Sequence, residues 1–165
     1  ISIRQELEHV RSYLLIQKIR YREILDYEIE VDESLLNGTI LKLTLQPLVE
    51  NALYHGIKNK RNGGMIRVKV RKADHNLVLL DVQDDGVGFT PDNLSQIQAS
   101  ISNDSDEILQ SDSGFGLANV HKRIQLYYGK QYGLSIESQY QYGTRVTVTI
   151  PLQEDLEPNT SKELT

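Results

Sequence analysis

The 165-residue sequence predicts an α+β domain, a two-layer sandwich with helices on one face of a mixed, mostly antiparallel sheet. Three observations predict it. Two pairs of strand-like runs are each joined by a short polar turn, which makes antiparallel neighbours. Two segments of helical periodicity lie between and beside them. The first 25 residues repeat their apolar positions as a helix does, adding an N-terminal linker helix.

In that opening segment Ile3, Leu7, Val10, Leu14, Gln17, Tyr21 and Ile24 alternate spacings of four and three. The charged residues Arg4, Glu6, Glu8, Arg11, Lys18, Arg20 and Arg22 mostly lie off this seam. The pattern fits a helix docked on its own domain, and equally half of a helical bundle whose partner lies elsewhere. A short strand is expected over 27–31, then a polar turn from Asp32 to Gly38. Leu45 to His55 reads as a helix, with Pro47 in a tolerant first turn and Gly56 as its expected stop. In the next strand Ile66, Val68 and Val70 alternate with Arg67, Lys69 and Arg71. Its partner puts Val78, Leu80 and Val82 inward, and the same period of two carries Asp84 onto the inward face.

Residues 90–113 hold five acidic residues and no Lys or Arg, and read as a mobile loop with some helix. A helix is predicted over 116–128, with Leu117, Val120, Ile124 and Tyr127 on one side and Gly129 ending it. The closing hairpin pairs 134–137 with 144–150 around a turn at 140–143. The organisation expected is therefore a helical segment over 1–25, one domain over 26–152, and a disordered acidic tail over 153–165.

Composition narrows the function. A net charge of −5 excludes a nucleic-acid or anionic-membrane partner held by bulk positive charge. The absence of cysteine removes disulfides, Cys-based zinc sites and a cysteine nucleophile, and fits a reducing compartment. No apolar run approaches the ~20 residues of a membrane-spanning helix. The start at Ile1-Ser2-Ile3-Arg4 has neither a signal pattern nor an initiator Met, so the chain reads as a piece of a longer protein.

Three stretches carry chemistry. In Leu45-Gln46-Pro47-Leu48-Val49-Glu50-Asn51-Ala52-Leu53-Tyr54-His55-Gly56, helical spacing puts Asn51 and His55 on one face. An amide oxygen is a suitable hard ligand for Mg²⁺, although Asn and His on a helix are commonly plain surface residues. In Asp81-Val82-Gln83-Asp84-Asp85-Gly86-Val87-Gly88-Phe89, a carboxylate facing the core at a strand end needs a donor, and an adenine amine is one. Gly86 and Gly88 would let the backbone approach a flat ligand, whereas Asp-Gly is also an ordinary turn. In Ser113-Gly114-Phe115-Gly116-Leu117-Ala118-Asn119-Val120, a glycine turn enters a helix whose free amides can cradle phosphate. It matches neither the dinucleotide fingerprint nor a P-loop.

The order of these stretches, with Gly143-Thr144 before a final strand, resembles the GHKL superfamily of gyrase, heat-shock chaperone, histidine kinase and mismatch-repair ATPases. The resemblance covers roughly 40–151 and is strongest to sensor histidine kinases of the autolysis-sensor type. It implies the Bergerat ATP-binding fold, ATP and Mg²⁺ as cofactors, and two-component signalling in which a γ-phosphoryl group passes to a histidine outside this fragment. By residue, it implies Asn51 as Mg²⁺ ligand and His55 lining the nucleotide site. Asp84 would accept from adenine beside Gly86 and Gly88, and Thr144 would support Asp84 or a bridging water. Gly114, Phe115, Gly116 and Leu117 would lie along the phosphates, with 90–113 as the ATP lid. Glu50 is a candidate base, since the turn before Asn51, where ATP-hydrolysing relatives carry an acid, has Pro47.

Tyr54 stands where related kinases often have Lys, and the lid carries no cation, which leaves Lys58, Lys122 or Arg123 as candidates to neutralise phosphate. The implied partners are ATP or ADP, the phosphoacceptor helical bundle of a dimeric parent kinase and a cognate response regulator, with no nucleic acid. The implied place is a cytoplasmic domain of a parent anchored in the bacterial cell membrane through segments outside this chain. An anti-sigma-type serine kinase and a non-catalytic nucleotide-sensing module are the alternatives.

Overall fold

The structure, a computed structural model, describes residues 1–60, 62–103 and 115–154. Helix α1 spans Ile3–Arg20 and begins with a capping box between Ser2 and Gln5. Its seam residues Ile3, Leu7, Val10 and Leu14 are buried, so the helix docks on its own domain. The opposite face leaves Leu15, Ile16 and Ile19 exposed. Glu6 is the exception to the predicted polar face, at 1% exposure.

Strand β1 (Leu25–Val31) is followed by a single 3₁₀ turn capped by Asp32, then the two-residue strand β2 (Gly38–Thr39). Helix α2 runs from Leu45 to Asn51, where the backbone widens into a π turn over Ala52–Gly56 and tightens to a 3₁₀ turn over Ile57–Asn59. Gly56 is therefore not the stop that the sequence suggests; the coil continues through it. Strands β3 (Gly64–Ala73) and β4 (Leu77–Asp84) form the expected hairpin, its turn made with His75 and Asn76 at positive φ. Helix α3 spans Pro91–Ser102 and α4 spans Phe115–Tyr128. Strands β5 (Gly133–Gln139) and β6 (Gly143–Pro151) close the sheet, and β7 (Gln153–Glu154) follows.

The five-stranded sheet has the order β1-β3-β4-β6-β5, with β1 parallel to β3 and every other pair antiparallel. The parallel pair follows from α2 lying in the connection between β1 and β3, since a parallel partner needs a long crossover. Ile66, Val68, Val70, Leu80, Val82, Val146 and Val148 point at the helices and are buried. The other face is solvated and charged. There Arg71 and Arg145 converge on Asp81, whose second oxygen accepts from Thr147 Oγ1 at 2.6 Å.

Three expectations are corrected. The helix expected somewhere in the 90–113 loop is Pro91–Ser102, and it is a packed element rather than a mobile one, because Thr90 caps it, Pro91 suits its first turn, and Leu94, Ile97 and Ile101 pack against the core. Residues 104–114, the rest of the expected lid, lie outside the described residues. The tail does not begin at 153: Gln153 and Glu154 pair antiparallel with Thr39 and Gly38. On α4 it is Tyr128, not Tyr127, that turns inward, its hydroxyl accepting from the Leu41 N–H at 2.9 Å while Tyr127 stays exposed.

Candidate nucleotide site

The end of α2, the π turn and the loop after β4 meet at the helix-side edge of the sheet. Asn51 is the last residue of α2 and half-buried; His55 sits inside the π turn with its ring 6.1 Å from that of Phe89. A π turn of this kind is a strained insertion that concentrates at functional sites. Asp84 ends β4 at 4% exposure, in register with Ile66 on one side and Thr144 on the other.

Glycines let these parts close up. A Cβ on Gly56 would stand 2.4 Å from Asp84 Oδ1, and one on Gly86 would stand 2.3 Å from the Gly56 carbonyl carbon. Gly88, at φ +67, backs on Gln139, where a Cβ would come within 2.3 Å of the carbonyl oxygen. Gly86 and Gly88 thus serve backbone-to-backbone contacts within the protein, a role the sequence assigns to ligand approach. Gly56 and Gly143 belong to the same closure; a Cβ on Gly143 would sit 2.1 Å from the Asp84 carbonyl oxygen. Their signal in the sequence is only their place beside the Asn and Thr motifs.

Asp84 Oδ1 accepts from the Gly86 N–H at 2.9 Å, and the Thr144 N–H also holds the carboxylate. These amides do not offset burial, which, with Asp85 beside it, raises the Asp84 pKa to about 7. Thr144 supports Asp84 through its backbone; its hydroxyl bonds Ser138 Oγ at 2.8 Å, and Ser138 also accepts from Phe89 N–H at 2.8 Å. Ser138 was not among the expected residues, since nothing local in Glu137-Ser138-Gln139 marks it.

The raised pKa has a consequence for folding. The unfolded carboxyl ionises near 3.8 and the folded one near 7, so the folded state holds the proton more tightly. Its contribution to stability is complete below about pH 4 and is lost as pH rises through 7. Asp84→Asn cannot ionise. Urea titrations are expected to show the variant gaining on the parent from pH 4 to 7, by roughly 4 kcal/mol at pH 7–8, where the difference levels off. A difference that does not vary with pH would mean that Asp84 is charged at no cost.

The remaining candidates divide. Glu50 is half-buried and accepts from Gln46 Nε2 at 3.3 Å, about 100° around the helix from Asn51. Phe115 and Gly116 open α4, with no atom within 4 Å of a Cβ built on Gly116, while Leu117 is buried in the core. Gly114 lies outside the described residues. Of the cations, Arg123 donates to the carbonyls of Lys42 and Leu43, and Lys122 is buried. Lys58 lies 5.0 Å from the ring centre of Tyr54 and 5.9 Å from that of Tyr21, so the tyrosine that replaces the expected lysine carries one on its face.

Comparison with known proteins gives a consistent result. Residues 37–154 match the family model described as histidine kinase-, DNA gyrase B- and HSP90-like ATPase. The chain is 34% identical over 158 residues to the sensor histidine kinase YesM of Bacillus subtilis, covering 94% of the chain and 25% of that protein. It is 32% identical over 164 residues to the sensor protein LytS of Staphylococcus saprophyticus, covering 96% and 26% respectively. The chain thus spans about a quarter of the length of these relatives. Among solved structures, the catalytic domain of histidine kinase ThkA superposes with a TM-score of 0.63 at 16% identity, covering 94% of this chain and 97% of that one. The histidine kinase domain of the Erythrobacter litoralis EL346 blue-light activated kinase gives 0.61 at 20% identity, covering 92% and 62%. At these identities the likeness is one of fold.

Proposed function

Since the chain belongs to the histidine kinase-, DNA gyrase B- and HSP90-like ATPase family, we propose that it binds ATP with Mg²⁺ and presents the γ-phosphate to a histidine on the helical bundle of a parent sensor kinase. The observation that carries this reading is Asp84, a buried carboxylate whose amide donors fall short of its desolvation. A ligand amine supplies the missing donor. An adenine N6–H₂ group has the right polarity, and its hydrogen bond favours the ionised form of Asp84.

Asn51 suits Mg²⁺ shared with a nucleotide. It offers one neutral oxygen, and among the described residues no cluster of three acidic or His groups surrounds it. An ion there would be held jointly by Asn51, phosphate oxygens and water, which is the usual habit of Mg²⁺. The rings of His55, in the π turn, and Phe89, in the segment after β4, face each other at 6.1 Å, and on this reading His55 lines the nucleotide site. Phe115, Gly116 and the Leu117 backbone, at the start of α4, would line the phosphates, where free amides and the helix dipole favour anions. Glu50 is the candidate base; its carboxylate accepts from Gln46 and projects about 100° around the helix from Asn51, so it need not share the metal's shell. Phosphoryl transfer asks chiefly for positioning and charge stabilisation.

On this reading the buried seam of α1 fixes the helix to the domain, and its exposed Leu15, Ile16 and Ile19 face the bundle of a dimeric kinase. A response regulator would receive the phosphoryl group downstream. No described helix is long and apolar enough to cross a membrane, and a membrane anchor would belong to the parent.

The test is calorimetry with ATP and ADP with and without Mg²⁺, followed by incubation with γ-labelled ATP. Binding is expected to depend on Mg²⁺. No label is expected on this chain alone, because transfer needs a histidine nitrogen within roughly 3–3.5 Å and in line. His55 lies in the π turn, His75 in the β3–β4 turn, and His121 Nδ1 accepts from Leu134 N–H at 2.9 Å. Label is expected on a separately supplied bundle domain. Acid-labile label on the chain alone that disappears in His9→Gln would place the phosphoacceptor on α1 instead.

A further inference from the structure

The start of α2 is held from outside the helix. Thr44, in the cap position, makes no side-chain cap; its hydroxyl donates to the Leu41 carbonyl at 2.6 Å. The cap comes from α1. The Glu6 carboxylate accepts from the N–H groups of Leu43 at 3.3 Å, Thr44 at 3.0 Å and Leu45 at 3.0 Å. On the far side of the same loop, Arg123 of α4 donates to the carbonyls of Lys42 at 2.7 Å and Leu43 at 3.0 Å. Between these clamps Leu43 sits at φ 61, a left-handed conformation that a leucine keeps only when its surroundings hold it.

We propose that Glu6 is a positioning residue for the nucleotide site, setting from α1 the rotation and depth of the helix that ends in Asn51. The proposal rests on the reading of Asn51 as the metal–nucleotide contact. Only two turns separate Leu45 from Asn51, and their apolar side, Leu45, Leu48 and Val49, is fully buried. A helix so short and so tightly packed moves as one piece. The carboxylate is 1% exposed, and a group buried that far must keep its donors. A displacement of α1 that strips Glu6 of these amides therefore also releases the start of α2. Seating of α1 and readiness of Asn51 become one event.

Calorimetric titration with ADP, with and without Mg²⁺, reads the Asn51 contribution as the metal-dependent gain in affinity. Glu6→Ala is expected to lose that gain by about tenfold or more, while metal-free ADP binding, anchored at Asp84 on β4, stays within roughly threefold. Glu6→Gln keeps an acceptor oxygen without the charge and is expected to fall between; it serves alone if the alanine variant does not fold. Val148→Ala truncates a buried core side chain on β6 and controls for lost stability, with its metal-dependent gain expected to match the parent. An undiminished gain in the folded Glu6 variants, or an equal loss in Val148→Ala, overturns the inference and leaves the nucleotide reading standing. A parent chain that binds ADP without a metal-dependent gain removes the role of Asn51 and this inference together. A parent chain that binds no nucleotide overturns the proposed function itself.

Discussion

Asp84→Ala is expected to weaken ADP binding about ten- to 150-fold, the loss of a charge-assisted hydrogen bond worth roughly 1.5–3 kcal/mol. The residue is uneconomical for folding. Burial lifts its pKa to about 7, so the domain holds against the Gly56 backbone a carboxylate whose ionisation burial opposes. Such a group is explained by a ligand that donates to it. Because an adenine amine donates to the ionised form, affinity in the parent chain is expected to rise with pH up to about 7 and to level off above it. Asp84→Asn should abolish that rise, since its amide oxygen can serve the Gly86 N–H but its NH₂ then faces the adenine amine. Isothermal titration from pH 5.5 to 8.5 measures both effects. A loss under threefold in Asp84→Ala would reduce Asp84 to a turn residue.

Gly86→Ala is expected to cost roughly 3 kcal/mol or more of stability, at the upper end of overpacking substitutions. The added Cβ would meet the carbonyl carbon, Cα and oxygen of Gly56 at 2.3, 2.5 and 2.6 Å. All three are backbone atoms, so no side chain can swing away. Relief requires separating the π turn from the β4 loop, which moves His55 and Asp84 apart. Gly116→Ala provides the contrast: open space surrounds its Cβ and it stands in the first turn of α4 without positive φ, so alanine should stabilise by about 0.4–1 kcal/mol. Urea denaturation of both variants checks the pair. Similar changes in the two would mean that the Gly56–Gly86 contact is not rigid.

Patterning made the sheet legible. The alternation through Ile66, Val68 and Val70, and through Val78, Leu80 and Val82, is a local record of which face is buried, and it carried Asp84 inward correctly. It failed where tertiary contact decides. The 90–113 stretch reads as a mobile loop with some helix because it has few apolar residues, yet Leu94, Ile97 and Ile101 at helical spacing suffice to dock α3 on the core. Strand β7 is two residues long and exists because β2 lies beside it, which no local signal encodes.

Within the candidate site, the inward position of Asp84 at the end of its strand follows from the period of two in the residues before it. The purpose of the glycines was less legible. Gly86 carries the mark of a close approach, but sequence does not say that the approaching group is Gly56. Glu6 was invisible for a related reason. Off the apolar seam of a helix a carboxylate reads as a surface glutamate until the amides that receive it, some 37–39 residues away, are in place.

The small sheet formed by β2 and β7 has a mechanical meaning. Ser2 bridges to Thr39, which pairs with Gln153, so the first and last described stretches of chain lie on either side of one short strand. Both flanking segments run antiparallel to β2, and so parallel to each other, and a pull between them falls first on the few backbone hydrogen bonds that β2 makes with Ser2 and β7, outside the five-stranded sheet. Tension arriving through α1 would thus yield at this latch before it reached Asp84.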